Sequence, residues 1–413
     1  MKPLSRFFAV QLMAALLLGL LTGCATSPGV KSAPPLILIS MDAFRWDYFT
    51  KYPEETLNLR QLMREGSSAR ALIPVYPSNT FPNHYSIATG LYPAHHGIIN
   101  NEMFDPATKS VFHYNRPTSV HESQWWGGEP IWVTAIKQGR PSAASFWVGS
   151  EAAIEGVYPT FWKRYDYTIP FEKRLDELAG WLNLPADQQP AVICFYLEET
   201  NSAGHKYGPD SKEVAAAVKL LDGRIGAIRD RLKAEGKTAN LVIVSDHGMT
   251  SISKDRVILL DDYLDLSSVQ VDFFGPATGL RPLEGSAESI VRALSALPHA
   301  KAYLTQDLPA RFHLTGNGRI PPVWIMSDEG WETDTRRHFA AVRDKFMHGD
   351  HGFDPALETM RGILIASGPS FNSGVVIDPV ENIHIYNLLC AALQLTPAPN
   401  DGDDRLVRAF LRK

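Results

Sequence analysis

A doubly wound α/β fold, a mostly parallel sheet flanked by helices with a small insertion, follows from three features of the sequence. Short apolar runs at Leu36–Met41, Ala191–Leu197 and Leu241–Val244 lack the alternation of a half-exposed strand and fit strands buried on both faces. Between the last two lies a helical stripe: Val214, Val218, Leu221, Ile225, Ile228 and Leu232 step by 4, 3, 4, 3 and 4. Each apolar run is followed at once by polar residues, and ligands of open α/β sheets gather beyond the carboxyl ends of the strands.

Composition narrows the class. Of 413 residues, 45% are hydrophobic and 21% charged, which excludes a disordered tail, a collagen-like fibre and a polytopic membrane protein. Net charge is −5; loss of Lys2 and Arg6 with the leader described next, which carries no acid, leaves −7. Such a surface argues against binding along nucleic acid phosphates. Three cysteines cannot build a disulfide scaffold, so stability must come from a large core.

In chain order, Lys2 and Arg6 precede an uncharged, mostly apolar run, Phe7–Leu21, too short for a membrane span of about twenty residues. It ends in Leu21-Thr22-Gly23-Cys24, which resembles the bacterial lipobox. Residues 1–23 are therefore expected to be a lipoprotein signal peptide and Cys24 the lipidated N-terminus. With Ala25 next, the resemblance implies a lipid anchor on the periplasmic face, at the outer membrane. Residues 24–35, rich in Ser, Pro, Ala and Gly, read as a flexible tether, and 36–413 as the folded domain. Cys194 and Cys390 sit in apolar runs and read as buried thiols. Around the helical stripe, Asp210 and Glu213 are expected to cap the start and Gly236 to close the end. Prolines and glycines break the pattern over 250–350, which reads as loops or the small insertion.

Four polar segments follow the strands or lie in glycine-rich loops: Asp42; Asn201 and His205; Asp246 and His247; and His351. Each alone fits a turn cap or a loop. Together, three fall at strand ends that a parallel sheet brings side by side, and carboxylates with imidazoles suit a pair of zinc ions in phosphoryl chemistry. Thr80, between two turn-forming prolines in Pro77-Ser78-Asn79-Thr80-Phe81-Pro82, offers a hydroxyl that a cation can acidify.

The stretches MDAFRWDY, PSNTFPNHYSIATGLYPAHHGIINN, GGEPIW, EETNSAGHKYGPDS, VSDHGM and GDHGFD, in this order, resemble the nucleotide pyrophosphatase/phosphodiesterases of the alkaline phosphatase superfamily. The resemblance runs from about Leu36 to Ile365 and implies an alkaline-phosphatase-like fold with two Zn2+ ions. It assigns Asp42, Asp246 and His247 to one metal, beside the nucleophile Thr80, and Asn201, His205 and His351 to the other. It matches Asn101 to a donor to the transferring phosphoryl group, and Phe81 and Tyr165 to aromatics that sandwich a nucleobase. The implied reaction is hydrolysis of phosphodiester or pyrophosphate bonds in nucleotides, releasing nucleoside monophosphates through a phosphothreonine. The expected partners are a small-molecule substrate and the membrane through Cys24; no specific nucleic-acid binding and a monomer are expected.

One position departs. The family carries an aspartate four residues before the second-site histidine, where this chain has Asn201. An amide oxygen coordinates without bringing charge, so the second metal should be held less tightly. Glu199 is one possible substitute, if the strand continues through it. The favoured expectation is activity that is retained though reduced; the alternative is a catalytically impaired nucleotide-binding lipoprotein. A choline phospholipid or glycerophosphodiester is the alternative substrate. No Gly-x-Ser-x-Gly or Cys/Ser-x-Pro-x-Arg motif supports a serine hydrolase or a sulfatase.

Overall fold

β1 (Leu36–Met41) is buried along its whole length because it feeds two cores at once. Leu36 and Leu38 face one core with Cys194, Val242 and Val244; Ile37, Ile39 and Met41 face the other with Ile193, Phe195 and Ile243. A strand apolar at every position is what such a two-sided burial requires. The computed structural model describes residues 33–412. The expected leader, Cys24 and most of the expected tether lie outside them. The carbonyl of Pro35, at the tether's expected end, already accepts the Asn240 N–H at 2.8 Å.

The remaining elements that position the site, in chain order, are α1 (Leu57–Glu65), β2 (Ser67–Ile73), α2 (Thr80–Thr89), β3 (Ser142–Ser145), β4 (Phe161–Lys163), α3 (Phe171–Leu182), β5 (Val192–Leu197), α4 (Glu199–Tyr207), α5 (Lys212–Ala234), β6 (Asn240–Val244), β7 (Val269–Phe273), β8 (Ala277–Pro282), β9 (Ala300–Leu304), β10 (Val323–Ser327), β11 (Gly362–Ser367), β12 (Val375–Ile377) and α6 (Ile385–Leu393). Among the described residues the central sheet has nine strands, in the path β12-β2-β11-β6-β1-β5-β3-β4, with Val380–Glu381 also paired to β2. β1 pairs in parallel with β5 and β6, and β3 with β4 and β5, while β11 runs antiparallel to both β6 and β2. Helices cover both faces: α5 packs its apolar stripe into one core and α6 into the other. The sheet is therefore doubly wound and mostly parallel, as expected.

Two details correct the sequence reading. The N-cap of α5 is Ser211, whose hydroxyl accepts the Val214 N–H at 3.2 Å; Asp210 instead accepts from Lys51. A serine hydroxyl one residue closer to the first turn reaches the orphan N–H groups that Asp210 cannot. At the other end Gly236 does close α5: with φ +63 it lets the Lys237 N–H reach the Leu232 carbonyl at 2.8 Å, a Schellman closure. The second correction concerns 250–350. Instead of loops alone, this segment forms a four-stranded antiparallel sheet in the order β7-β8-β10-β9. One face covers a small core of its own built on Leu260, Leu280, Ile290 and Val323, and the other sends Phe273 and Trp324 into the main core. Both expected thiols, Cys194 and Cys390, are buried and unpaired. Among the described residues no helix is long and apolar enough to cross a membrane.

Candidate active site

Asp42 leaves the end of β1 and Asp246 follows β6 by two residues, so two neighbouring parallel strands deliver two carboxylates to one point. Tyr196 donates its hydroxyl to Asp42 Oδ2 at 2.6 Å, which turns Oδ1 inward with no hydrogen-bond partner. Ala43, in the left-handed region at φ +55, donates its N–H to Asp246 Oδ1 at 3.2 Å. The other oxygen of Asp246 is 3.1 Å from both His84 Nδ1 and His247 Nε2. His247 donates from Nδ1 to the Gly248 carbonyl at 2.8 Å, leaving Nε2 to face 3.6 Å to Asp42 Oδ1 and 3.1 Å to the Thr80 hydroxyl. Gly248 is required here: a Cβ would lie 2.0 Å from the Thr359 carbonyl oxygen.

Thr80 is the first residue of α2, where the helix presents unsatisfied N–H groups and positive partial charge. One turn on, His84 is buried, with Nε2 2.8 Å from the Ser40 hydroxyl, and it braces Asp246 from behind. Asn101 accepts the Phe81 N–H on Oδ1 at 2.9 Å. An N–H can bond only the oxygen end of the amide, so the NH2 of Asn101 is left to donate into the cavity.

The second group begins where β5 gives way to α4. Asn201 and His205 are one helical turn apart on α4, and the Asn201 Oδ1 is buried without a partner. His205 donates Nδ1–H to the Gly349 carbonyl at 2.9 Å. His351 directs Nδ1 to the Ser78 carbonyl at 3.1 Å and stacks on His247 with ring centroids 3.7 Å apart. The two groups are thus joined through a pair of imidazoles. Glu199 does not complete the site: the strand ends at Leu197, the chain turns into α4, and Glu199 pairs with Arg224 instead. The residue that sequence reasoning missed is Asp350, whose carboxylate groups with His205 and His351. Its only signal is its place beside His351 in Gly349-Asp350-His351-Gly352, where it reads as a turn residue.

The electrostatics follow from crowding. Burial first, then Asp246, pushes Asp42 up to about 7. Burial opposes charge on His247, but Asp246 and Asp42 outweigh it and raise the imidazole to about 9. His351 is held well below the ordinary imidazole value by burial and by His247 and His205. Buried oxygens with no donor, on Asp42 and Asp246 in one group and on Asn201 beside the other, lie next to imidazoles and fit a divalent cation in each: Asp42, Asp246 and His247 are one candidate set, and His205, Asp350 and His351 the other.

Both groups open on a cavity of about 1000 Å³. Phe81 and Tyr165 line it, as does Tyr114, which sequence reasoning does not single out. Phe81 is half-buried against Phe112, Tyr114 and Trp126, whereas Tyr165 is 47% exposed and donates its hydroxyl to Glu198. Arg45, three residues after Asp42, is buried and committed to Asp47 and the Met249 carbonyl.

A hydroxyl at a helix start, flanked by two groups of candidate metal ligands on the rim of a doubly wound sheet, defines an alkaline-phosphatase-like α/β protein. The model of the type I phosphodiesterase / nucleotide pyrophosphatase family matches residues 36–354, and the chain belongs to that family. It is 40% identical over 400 residues to venom phosphodiesterase CdcPDE of Crotalus durissus collilineatus, covering 92% of this chain and 47% of the relative. It is 39% identical over 388 residues to human ectonucleotide pyrophosphatase/phosphodiesterase family member 1, covering 91% and 41%. The chain therefore spans about half the length of these relatives. Murine ectonucleotide pyrophosphatase/phosphodiesterase 5 superposes with TM-score 0.86 at 33% identity, covering 92% of this chain and 100% of that one. An inactive variant of that murine protein, solved in complex with AMP, superposes with TM-score 0.85 at 32% identity, covering 92% and 100%.

Proposed function

We propose that this chain hydrolyses phosphodiester and pyrophosphate bonds of nucleotides and releases nucleoside monophosphates, with Thr80 as nucleophile. The observation that carries the reading is the Thr80 hydroxyl 3.1 Å from His247 Nε2, at the mouth of an aromatic-lined cavity of about 1000 Å³. Two zinc ions held by Asp42, Asp246 and His247 and by the His205–His351 group would acidify that hydroxyl and neutralise phosphoryl charge. Thr80 Oγ1 attacks phosphorus in line, the bond to the leaving oxygen breaks, and water then cleaves the resulting nucleotidyl-threonine diester at its bond to Oγ1, releasing the nucleoside monophosphate and the free hydroxyl. The Asn101 NH2 and the Thr80 N–H, which opens α2, donate to the non-bridging oxygens as charge builds on them. Phe81 and Tyr165 clasp the base, and the base accounts for the exposure of Tyr165 in the free protein. The murine relative's complex with AMP supports a nucleotide as the ligand of this cavity.

The test uses the zinc-saturated protein and p-nitrophenyl thymidine 5′-monophosphate. Nitrophenol release, together with a thymidine 5′-phosphate group esterified to Thr80 in quenched reactions, is the expected result. Saturated protein that neither turns over nor acquires that nucleotidyl group overturns the reading, and faster hydrolysis of p-nitrophenyl phosphocholine moves the substrate class. We further propose that Cys24 is lipidated, holding a monomeric enzyme at the periplasmic face of the outer membrane. A mature N-terminus lacking 23 residues and carrying acyl chains, read by mass spectrometry, is the expected finding; an unmodified Cys24 rules it out.

A further inference from the structure

Two neutral imidazoles and an amide bring no formal charge to a divalent cation, yet the group at His205 and His351 is not short of charge. Asp350 stands beside them, and the three side chains offer ligand atoms all within 4.8 Å of one another. Both imidazoles are pre-aimed: each spends Nδ1 on a backbone carbonyl, His205 on Gly349 and His351 on Ser78, which leaves Nε2 unprotonated and free to ligate. Asp350 accepts the His351 N–H on Oδ1 at 2.8 Å, which fixes its carboxyl beside that imidazole. The approach of this segment to α4 is built into the backbone. A Cβ on Gly349 would lie 2.5 Å from the Gly204 carbonyl oxygen, so only glycine lets residues 349–351 press on the helix that carries Asn201 and His205.

A second carboxyl points the same way. Glu332 is only 9% exposed, its Oε1 has no partner, and its carboxyl touches that of Asp350. Two carboxyls held together in a cavity wall need a cation or a shared proton between them. Asn201 Oδ1, also buried and unpartnered, opens on the same cavity.

We propose that Asp350 is the anionic ligand of the cation held by His205 and His351, supplying the charge that Asn201 lacks, with Asn201 Oδ1 as a neutral donor and Glu332 positioning Asp350. The inference rests on the hydrolase reading for what the cation is used for, while binding itself is measured separately. Equilibrium dialysis against zinc with a competing chelator, read by elemental analysis on the full chain, should give two zinc ions per wild-type molecule. Asp350→Asn should weaken one of them by roughly 100-fold or more, at or beyond the largest effect of losing a mere supporting partner, and leave the other unchanged. Adding Asn201→Asp to that variant should restore the second ion, and this rescue separates lost charge from misfolding. Unchanged affinity for both ions in Asp350→Asn, or one ion in the wild type, overturns the inference. If Asp350→Asn loses its ion as expected while the zinc-loaded wild type neither turns over nor forms a nucleotidyl-threonine, the metal assignment stands and the hydrolase reading falls.

Discussion

The two metal-ligand groups are built on different principles. Asp42, Asp246 and His247 are fully buried, hang from the ends of adjacent parallel strands, and are braced by Tyr196, His84 and Ala43. His205, Asp350 and His351 come from a helix and from a two-residue strand, Gly349–Asp350, that pairs only with Thr250–Ser251, and two of the three are partly exposed. One group is set by the register of the sheet; the other is set by a loop meeting a helix. A geometry owned by strand register tolerates little change, whereas a meeting of loop and helix lets the charge move from position 201 to position 350 without moving the imidazoles.

The sharpest way to break this comparison is Thr80→Ala, which removes the hydroxyl that faces His247 Nε2 from the start of α2. Turnover should fall by about 10⁴-fold or more while AMP binding, measured by calorimetry, changes little. Retained turnover would place the nucleophile elsewhere. Next comes pH. Metal binding at the strand-end group requires Asp42 ionised and His247 neutral. In the metal-free protein His247 keeps its proton up to about 9 and Asp42 up to about 7. Protons therefore compete with zinc below pH 9, and apparent affinity should rise by about tenfold per pH unit between 7 and 9 and then level off. The other group behaves differently, because His351 is already held unprotonated and gives up no proton to the metal. Chelator competition across this pH range should give unequal slopes for the two ions; equal slopes would break the contrast.

Tyr196→Phe sharpens it further. Loss of the donor to Asp42 Oδ2 should weaken zinc by 10- to 100-fold at the strand-end group alone, read by the same competition. The smallest effect is expected for Phe81→Ala, which touches neither group: KM for the nucleotide ester should rise about tenfold through lost stacking, with kcat nearly unchanged. A fall in kcat instead would show that the Phe81 ring also holds in place the helix start that carries Thr80.

The same contrast explains what can be read from the sequence. β1, β5, β6 and α5 are legible because apolar runs and a 3.6-residue period are local signals, and the polar residues that follow those strands are where parallel pairing must bring them. Asp42, Asp246 and His247 therefore stand out from chain pattern alone. Asp350 does not, because its role depends on Gly349 meeting Gly204 across the fold, a contact with no local pattern. Glu199 is misplaced for a related reason: whether the chain continues as strand or turns into helix after Leu197 decides which way it faces. The sheet β7-β8-β10-β9 is hidden because its strands are five or six residues long and interrupted by turn residues, so neither period repeats enough to register.

That small sheet has a consequence of its own. Phe273, Phe274 and Ala277, at the junction of β7 and β8, line the cavity, yet the strands behind them rest largely on Leu260, Leu280, Ile290 and Val323. The wall facing the guest thus has unequal support: Phe273 and Ala277 belong to the main core, whereas Phe274, 39% exposed, belongs to neither core. Changes at Phe274 can therefore recontour the wall without disturbing the strands, and the accepted guest can vary there while the reacting atoms stay where they are.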